Sequence, residues 1–239
     1  MTAPYSAGSD PTTPPMASSD STTPPMASSD STAPPMPEVA STIFGQAAPK
    51  AAHYARLLAG PGVDRGLIGP NEIPRLWERH LLNCAVVASL VPTPCSLVDL
   101  GSGAGLPGIV LALLLPDAKV TLLEPMARRA AFLEECVTEL GLDNTGVRRA
   151  RAEELAGTLM VDVVAARAVA PLDRLAAMAV RLLRPGGIVL AIKGAKAAQE
   201  VAAARDALSQ LAVQHVEVLR AGDGKVDPAA TVVRLTAGQ

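Results

Sequence analysis

Two rhythms of apolar and polar positions divide the chain. Between Ser41 and Pro92 the apolar residues recur at helical spacing. Ala51, Tyr54, Ala55 and Leu58 stand at i, i+3, i+4 and i+7 and predict a helix over Ala47–Ala59. Gly60-Pro61-Gly62 breaks it, and Pro70 and Pro74 bracket the entry to a second helix, about Ile73–Leu90. After Pro94 the rhythm becomes strand, loop, helix, and repeats. Strands are predicted at Leu97–Leu100, Lys119–Glu124, Val147–Ala150, Val161–Ala166, Ile188–Ile192, Val213–Leu219 and Thr231–Leu235. Helices are predicted between them at Pro107–Leu115, Ala127–Leu140, Leu172–Leu183 and Ala197–Leu211. Strands alternating with helices make parallel βαβ units with helices on both faces. The turn-rich linker Ala221–Pro228 suits an antiparallel final pair, so an α/β sheet of about seven strands is expected behind an N-terminal helical extension.

Ahead of Ser41 there is no such rhythm. A decamer beginning Asp10-Pro-Thr-Thr-Pro-Pro-Met-Ala-Ser-Ser returns from Asp20 and, in decayed form, from Asp30. Short repeats of Pro, Ser and Thr bury too little apolar surface to offset the entropy of ordering, so residues 1–40 are expected to be a disordered tail. Residues 41–92 then form a helical segment and 93–239 the α/β domain.

Composition narrows the chemistry. Hydrophobic residues are 49% of the chain, enough for a sizeable core, but aromatics are only 2%, so a base-binding site cannot rest on a platform of stacked rings. The net charge of −2 hides an asymmetry, because the tail holds Asp10, Asp20, Asp30 and Glu38 and no Lys or Arg. Without them the chain has 21 basic against 19 acidic residues, a charge of +2, which no longer argues against a nucleic-acid partner. The apolar run Ile109–Leu115 is far short of the roughly 20 residues that span a bilayer. No basic or apolar leader opens the chain, and Cys84, Cys95 and Cys136 lack CxxC spacing. A cytoplasmic monomer with no membrane segment, disulfide framework or metal site is expected.

The richest stretch is Val98-Asp-Leu-Gly-Ser-Gly-Ala-Gly-Leu-Pro-Gly108. Glycines after a strand let backbone N–H groups approach a ligand that a Cβ would push away. Gly103-Ala-Gly105-Leu-Pro-Gly108 satisfies the dinucleotide pattern GxGxxG. Gly101-Ser-Gly103-Ala-Gly105, one residue after Asp99, resembles the GxGxG loop of class I S-adenosylmethionine-dependent methyltransferases. Asp99 would repel a pyrophosphate but suits the ammonium and sulfonium of S-adenosylmethionine. Glu124, closing the second strand, can accept both ribose hydroxyls in either kind of site. Ala152-Glu153 follows the third strand, where the methyltransferase fold contacts adenine. The methyltransferase reading is preferred, with a nicotinamide enzyme as the alternative.

A longer resemblance rests on Arg79-His-Leu-Leu-Asn-Cys, the loop just described, Leu122-Leu-Glu, Arg128-Arg, Ala166-Arg167-Ala168 and Ile192-Lys-Gly. These closely resemble the small-subunit ribosomal RNA guanine-N7 methyltransferases of the RsmG (GidB) family, over nearly everything from Ser41 to Leu235. The resemblance implies a Rossmann-like methyltransferase fold, S-adenosyl-L-methionine as cofactor, and small-subunit (16S) ribosomal RNA or the assembled subunit as partner. It implies that Asp99, Gly101, Gly103, Gly105 and Leu106 line the cofactor, that Glu124 binds its ribose, and that Ala152 and Glu153 meet its adenine. Arg167 would face the methionine end or the incoming guanine. The family's Asn-Leu-Thr turn is here Gly66-Leu-Ile, which puts any substrate contact made through that turn in doubt.

Guanine N7 has a free lone pair and loses no proton, so no general base is required and the work is positioning and electrostatics. The sequence agrees by omission. After the fourth strand it reads Ala166-Arg-Ala-Val-Ala-Pro, where exocyclic-amine methyltransferases carry [DN]PP[YFW], and no cysteine stands there to act as a nucleophile. Arg167 cannot hold N7 while N7 attacks, so a contact with the base must use O6 or the ring face; an ion pair with Asp173 or Glu153 is the structural alternative. Arg128, Arg129, Arg148, Arg149, Arg151 and Lys193 are candidates for phosphate or RNA contact, or for a solvated surface. His53, His80 and His215 form no metal set, and Trp77 is read as core. A methyltransferase acting on a small molecule or protein, and a non-catalytic module with a vestigial cleft, stay open as rivals.

Overall fold

In the computed structural model, which describes Met1 and residues 33–238, the apolar runs form seven strands. They are β1 (Cys95–Leu100), β2 (Ala118–Leu123), β3 (Thr145–Arg148), β4 (Val161–Arg167), β5 (Leu183–Lys193), β6 (Val213–Ala221) and β7 (Ala230–Ala237). They build one sheet in the order β3-β2-β1-β4-β5-β7-β6. β1 to β5 are parallel, and β7 runs antiparallel to both β5 and β6. The chain steps outward from β1 to β2 and β3, then returns to set β4 on the other side of β1. Such a switch opens a crevice at the carboxyl ends of β1 and β4, the place where open α/β sheets bind ligands.

Residues alternate between the two faces along each strand. Leu97, Val163 and Ala165 face one core with Ile109 and Phe132, while Val98, Val164 and Ala166 face a second core with Leu172 and Leu208. Helices α4 (Gly108–Leu114) and α5 (Ala127–Glu139) cover the first face; α6 (Ala152–Leu155), α7 (Leu172–Ala179) and α8 (Ala197–Gln210) belong to the second. The N-terminal helices join the first core. They are α1 (Glu38–Phe44), α2 (Ala48–Leu57) and a composite α3. The last runs through Pro70–Arg75 in 3-10 turns, Leu76–Leu82 in π turns, Asn83–Ala85 in α and Val86–Leu90 in 3-10 again.

Several boundaries differ from the pattern-based expectation. α1 starts at Glu38, ahead of the expected start at Ser41, and buries Ala40 and Phe44. Phe44 meets Trp77 edge-on at 6.3 Å, and the Trp77 indole N–H donates to Pro34 O at 2.9 Å, so Trp77 is core. α3 begins at Pro70 rather than Ile73, because a proline in the first turn has no missing bond to supply. β3 lies two residues earlier than expected, leaving Arg149 outside it. Pro185-Gly186-Gly187 lies inside β5 instead of before it, where the register with β4 shifts between Val161 and Val163. The four-residue helix α6 had no signal in the periodicity. Residues 2–32 of the expected tail lie outside the described residues.

Candidate active site

The loop after β1 is clamped from below by a carboxylate. Asp99 Oδ2 accepts hydrogen bonds from Ser102 Oγ at 2.5 Å and from the N–H of Gly108, at the start of α4, at 2.9 Å. Asp99 is 0% exposed, and its Oδ1 has no partner among the described residues. Burial pushes its carboxyl up to about 6, even though both hydrogen bonds favour the ionised form. The sequence suggested a carboxylate facing a cationic ligand. The structure places it under the loop, where it fixes the loop's two ends and touches no open space.

The loop glycines divide by what surrounds them. Gly101, Gly103 and Gly105 all have positive φ, at 69°, 59° and 97°. A Cβ on Gly105 would stand 2.5 Å from Ile109 Cδ1 and 2.7 Å from Tyr54 Oη, and one on Gly101 would stand 2.9 Å from Val169. On Gly103 it would meet nothing nearer than Gly101 O at 3.8 Å, so of the three glycines this one has room on its Cα face. Gly103 N–H donates to Glu124 Oε2 at 3.0 Å, and Met126 N–H donates to Oε1 at 2.9 Å. Glu124 is 2% exposed and braces the loop from the end of β2. Leu106 is buried, as is Ala152, whereas Glu153 is exposed at the start of α6 on the same rim.

Tyr54, on α2, is fully buried and donates from its hydroxyl to Ala104 O at 2.6 Å. Burial raises its hydroxyl well above the usual tyrosine range. Pattern reading used Tyr54 only as a member of an apolar stripe. The signal was there: a lone hydroxyl on such a stripe needs a partner once buried. Ser102 was likewise missed as the link between loop and strand.

Across the switch point a cavity of about 1130 Å³ opens between α3 and the ends of β4, β5 and β7. Arg167 closes one side of it. Its Nη2 donates to His80 Nδ1, and its Nη1 faces Arg79 O at 3.4 Å, His80 O at 3.5 Å and Cys84 Sγ at 3.4 Å. The ion pair with Asp173 or Glu153 that the sequence allowed is not formed; Arg167 turns to the N-terminal helix instead. The next residue, Ala168, has φ 54°, a left-handed conformation rare for a residue with a Cβ and common at sites where the backbone is held for function. His80 Nε2 bonds Glu72 Oε2 at 2.9 Å. Burial, then the Arg167 charge, lower the imidazole's affinity for a proton, with Glu72 opposing.

The remaining candidates separate by location. Lys193 lines this cavity, yet its Nζ donates to Ala170 O at 2.9 Å and pairs with Glu200 at 2.8 Å, leaving little of it for a phosphate. Arg128, Arg148, Arg149 and Arg151 are exposed at the β2–β3 end of the rim, and Arg129 lies 4.0 Å from Glu124. His53 pairs with Glu139 and His215 with Glu217. Among the described residues no group of His, Cys, Asp or Glu could hold a metal ion, and no helix is long and apolar enough to cross a membrane.

A family model described as "GidB: rRNA small subunit methyltransferase G" matches residues 47–227. A protein named ribosomal RNA small subunit methyltransferase G from Thermobifida fusca is 57% identical over 199 residues, 83% of this chain and 84% of the relative. One of the same name from Streptomyces avermitilis is 56% identical over 204 residues, 85% of this chain and 86% of the relative. Among solved structures, a SAM-dependent O-methyltransferase from Thermotoga maritima superposes with a TM-score of 0.53 at 19% identity, over 71% of each chain, a likeness of fold.

Proposed function

The chain belongs to the GidB family, rRNA small subunit methyltransferase G, and from that premise we propose that it transfers a methyl group from S-adenosylmethionine to N7 of a guanine in small-subunit ribosomal RNA. The structural observation that carries the reading is a divided crevice. A clamped glycine loop lies at the end of β1, and a polar cavity closed by Arg167 lies at the end of β4.

The residues at the β1–β2–β3 end fit the cofactor. Gly103 leaves room on its Cα face, and Glu124 is pinned beside it by two N–H groups at the end of β2, next to where a ribose would lie. Gly101, Gly105 and Leu106 shape the loop, while Ala152 and Glu153 stand at the rim where adenine would lie. When bound, S-adenosylmethionine supplies a methyl group on a cationic sulfur, which leaves as a neutral thioether once the acceptor's lone pair takes the methyl. Asp99 acts at one remove by holding the loop.

The other half of the crevice takes the base. Its imidazole and carboxylates are committed: His80 lies between Arg167 and Glu72, and Glu200 is paired with Lys193. That arrangement suits an acceptor from which no proton has to be removed, as guanine N7 is. Arg167 serves as a positioning residue that ties α3 to the end of β4. Arg128, Arg148 and Arg149 supply exposed cations for the RNA backbone, and the cytoplasm, where small subunits are assembled, is the compartment this reading requires.

The test is methyl transfer with tritiated cofactor to small subunits, and to their free RNA, from cells lacking this protein. Label recovered as 7-methylguanine is the expected result. Label on another atom, or none, would sink the reading.

A further inference from the structure

The polar groups on the cavity wall can be accounted for one by one. Glu72 takes His80 and Arg79, and Lys193 takes Glu200. Arg220 Nη1 donates to Thr231 Oγ1 at 3.1 Å, and Arg167 is bound to α3. Asn83 also lines the cavity and is half-buried, yet among the described residues its carboxamide has no hydrogen-bond partner. It is not sealed in the core either: among the described residues the sealed, unpaired side-chain atoms are Asp99 Oδ1 and Arg234 Nε. A half-buried carboxamide on the cavity wall that no protein group engages keeps its donors and its acceptor for whatever enters the cavity. Its position is fixed: the groups Arg167 holds belong to Arg79, His80 and Cys84, which flank it on α3.

We propose that Asn83 is the residue that reads the target guanine, its Nδ2–H donating to O6 and its Oδ1 accepting from N1–H. A carboxamide carries one acceptor and a donor side by side in a plane, the complement of that edge. The pairing leaves N7 free to attack, which an arginine fork on O6 and N7 would not. A neutral amide has no special claim on a phosphate, and Asn83 stands on the cavity side of the switch point, away from the glycine loop. The inference rests on the proposed guanine-N7 activity and assigns its base recognition.

The test is steady-state methylation of small subunits from cells lacking this protein, comparing wild type with Asn83→Leu and Asn83→Ser. Titration with S-adenosylhomocysteine and thermal melting are run alongside. Expected is a fall of at least about 10-fold in kcat/KM for the subunit, of the size of one lost bidentate base contact, with cofactor affinity unchanged. A second variant guards against misfolding of the first. If wild type is active and both folded variants stay within about 2-fold of it, Asn83 does not read the base, although the enzymatic reading survives. If the variants lose cofactor affinity in step with activity, the side chain serves the cofactor half and the proposal is overturned. A wild type that transfers no methyl group defeats the guanine-N7 reading and this assignment with it.

Discussion

Arg167 and His80 are bonded in a way that settles the imidazole's tautomer. A guanidinium only donates, so His80 Nδ1 must be the acceptor, and the ring proton lies on Nε2, directed at Glu72. Protonating the ring would set two cations against each other. Nitrogen-resolved NMR at pH 7 should show a His80 Nδ1 without a proton. An imidazolium there would break the relationship.

The same bond makes Arg167 hard to replace. A lysine cannot meet the several acceptors the guanidinium reaches on α3. Arg167→Lys should lower kcat/KM for the subunit by about 10- to 100-fold, the effect of roughly 1.5–3 kcal/mol for a charged hydrogen bond. Affinity for S-adenosylhomocysteine should change little. A large loss of that affinity would instead put Arg167 at the cofactor.

The glycine loop yields a paired test. Gly105→Ala forces a Cβ against Tyr54 and Ile109 at φ 97°, so it should cost more than about 2 kcal/mol and lower the melting temperature visibly. Gly103→Ala has room and should cost about 1 kcal/mol for the left-handed backbone, but should weaken cofactor binding sharply. Calorimetric titration with S-adenosylhomocysteine on the folded Gly103 variant decides it; unchanged affinity would remove that backbone from the site.

Asp99 should leave a signature in stability against pH. Its carboxyl is raised to about 6 from an ordinary 3.8, so the folded protein holds a proton that the unfolded chain has already released between those values. Its contribution is therefore greatest below about pH 3.8 and is lost as pH rises through about 6, by up to about 3 kcal/mol. Denaturation of wild type and Asp99→Asn should show their stability difference shifting in favour of the variant from pH 4 to pH 7. A difference independent of pH would mean that the carboxyl titrates normally.

Salt dependence separates the arginines from the lysine. Replacing Arg148 or Arg149 by alanine should raise KM for the subunit and flatten its salt dependence by about one counterion each. Lys193→Ala should leave the salt slope unchanged, because Glu200 already neutralises it. Equal slopes for all three variants would remove the β2–β3 rim from the RNA footprint.

The alternation of apolar runs, glycine turns and helical stripes determined the strand count, the antiparallel final pair and the loop after β1, because local periodicity and turn chemistry reach only a few residues along the chain. Residue types in order also sufficed for the family, since Gly-Ser-Gly-Ala-Gly-Leu-Pro-Gly, Arg167 and Lys193-Gly194 can be read without coordinates. What each rim residue touches was decided by packing. Asp99 and Glu124 looked alike as acids closing strands, yet one is sealed beneath the loop and the other pinned beside it. Arg167 finds its partners 83 to 88 residues away on α3, Lys193 is drawn to Glu200, and Tyr54 reaches a loop 50 residues on. Those contacts join segments that only the folded sheet brings together, and hydrogen-bond geometry at a few ångströms is set by that assembly, not by spacing along the chain.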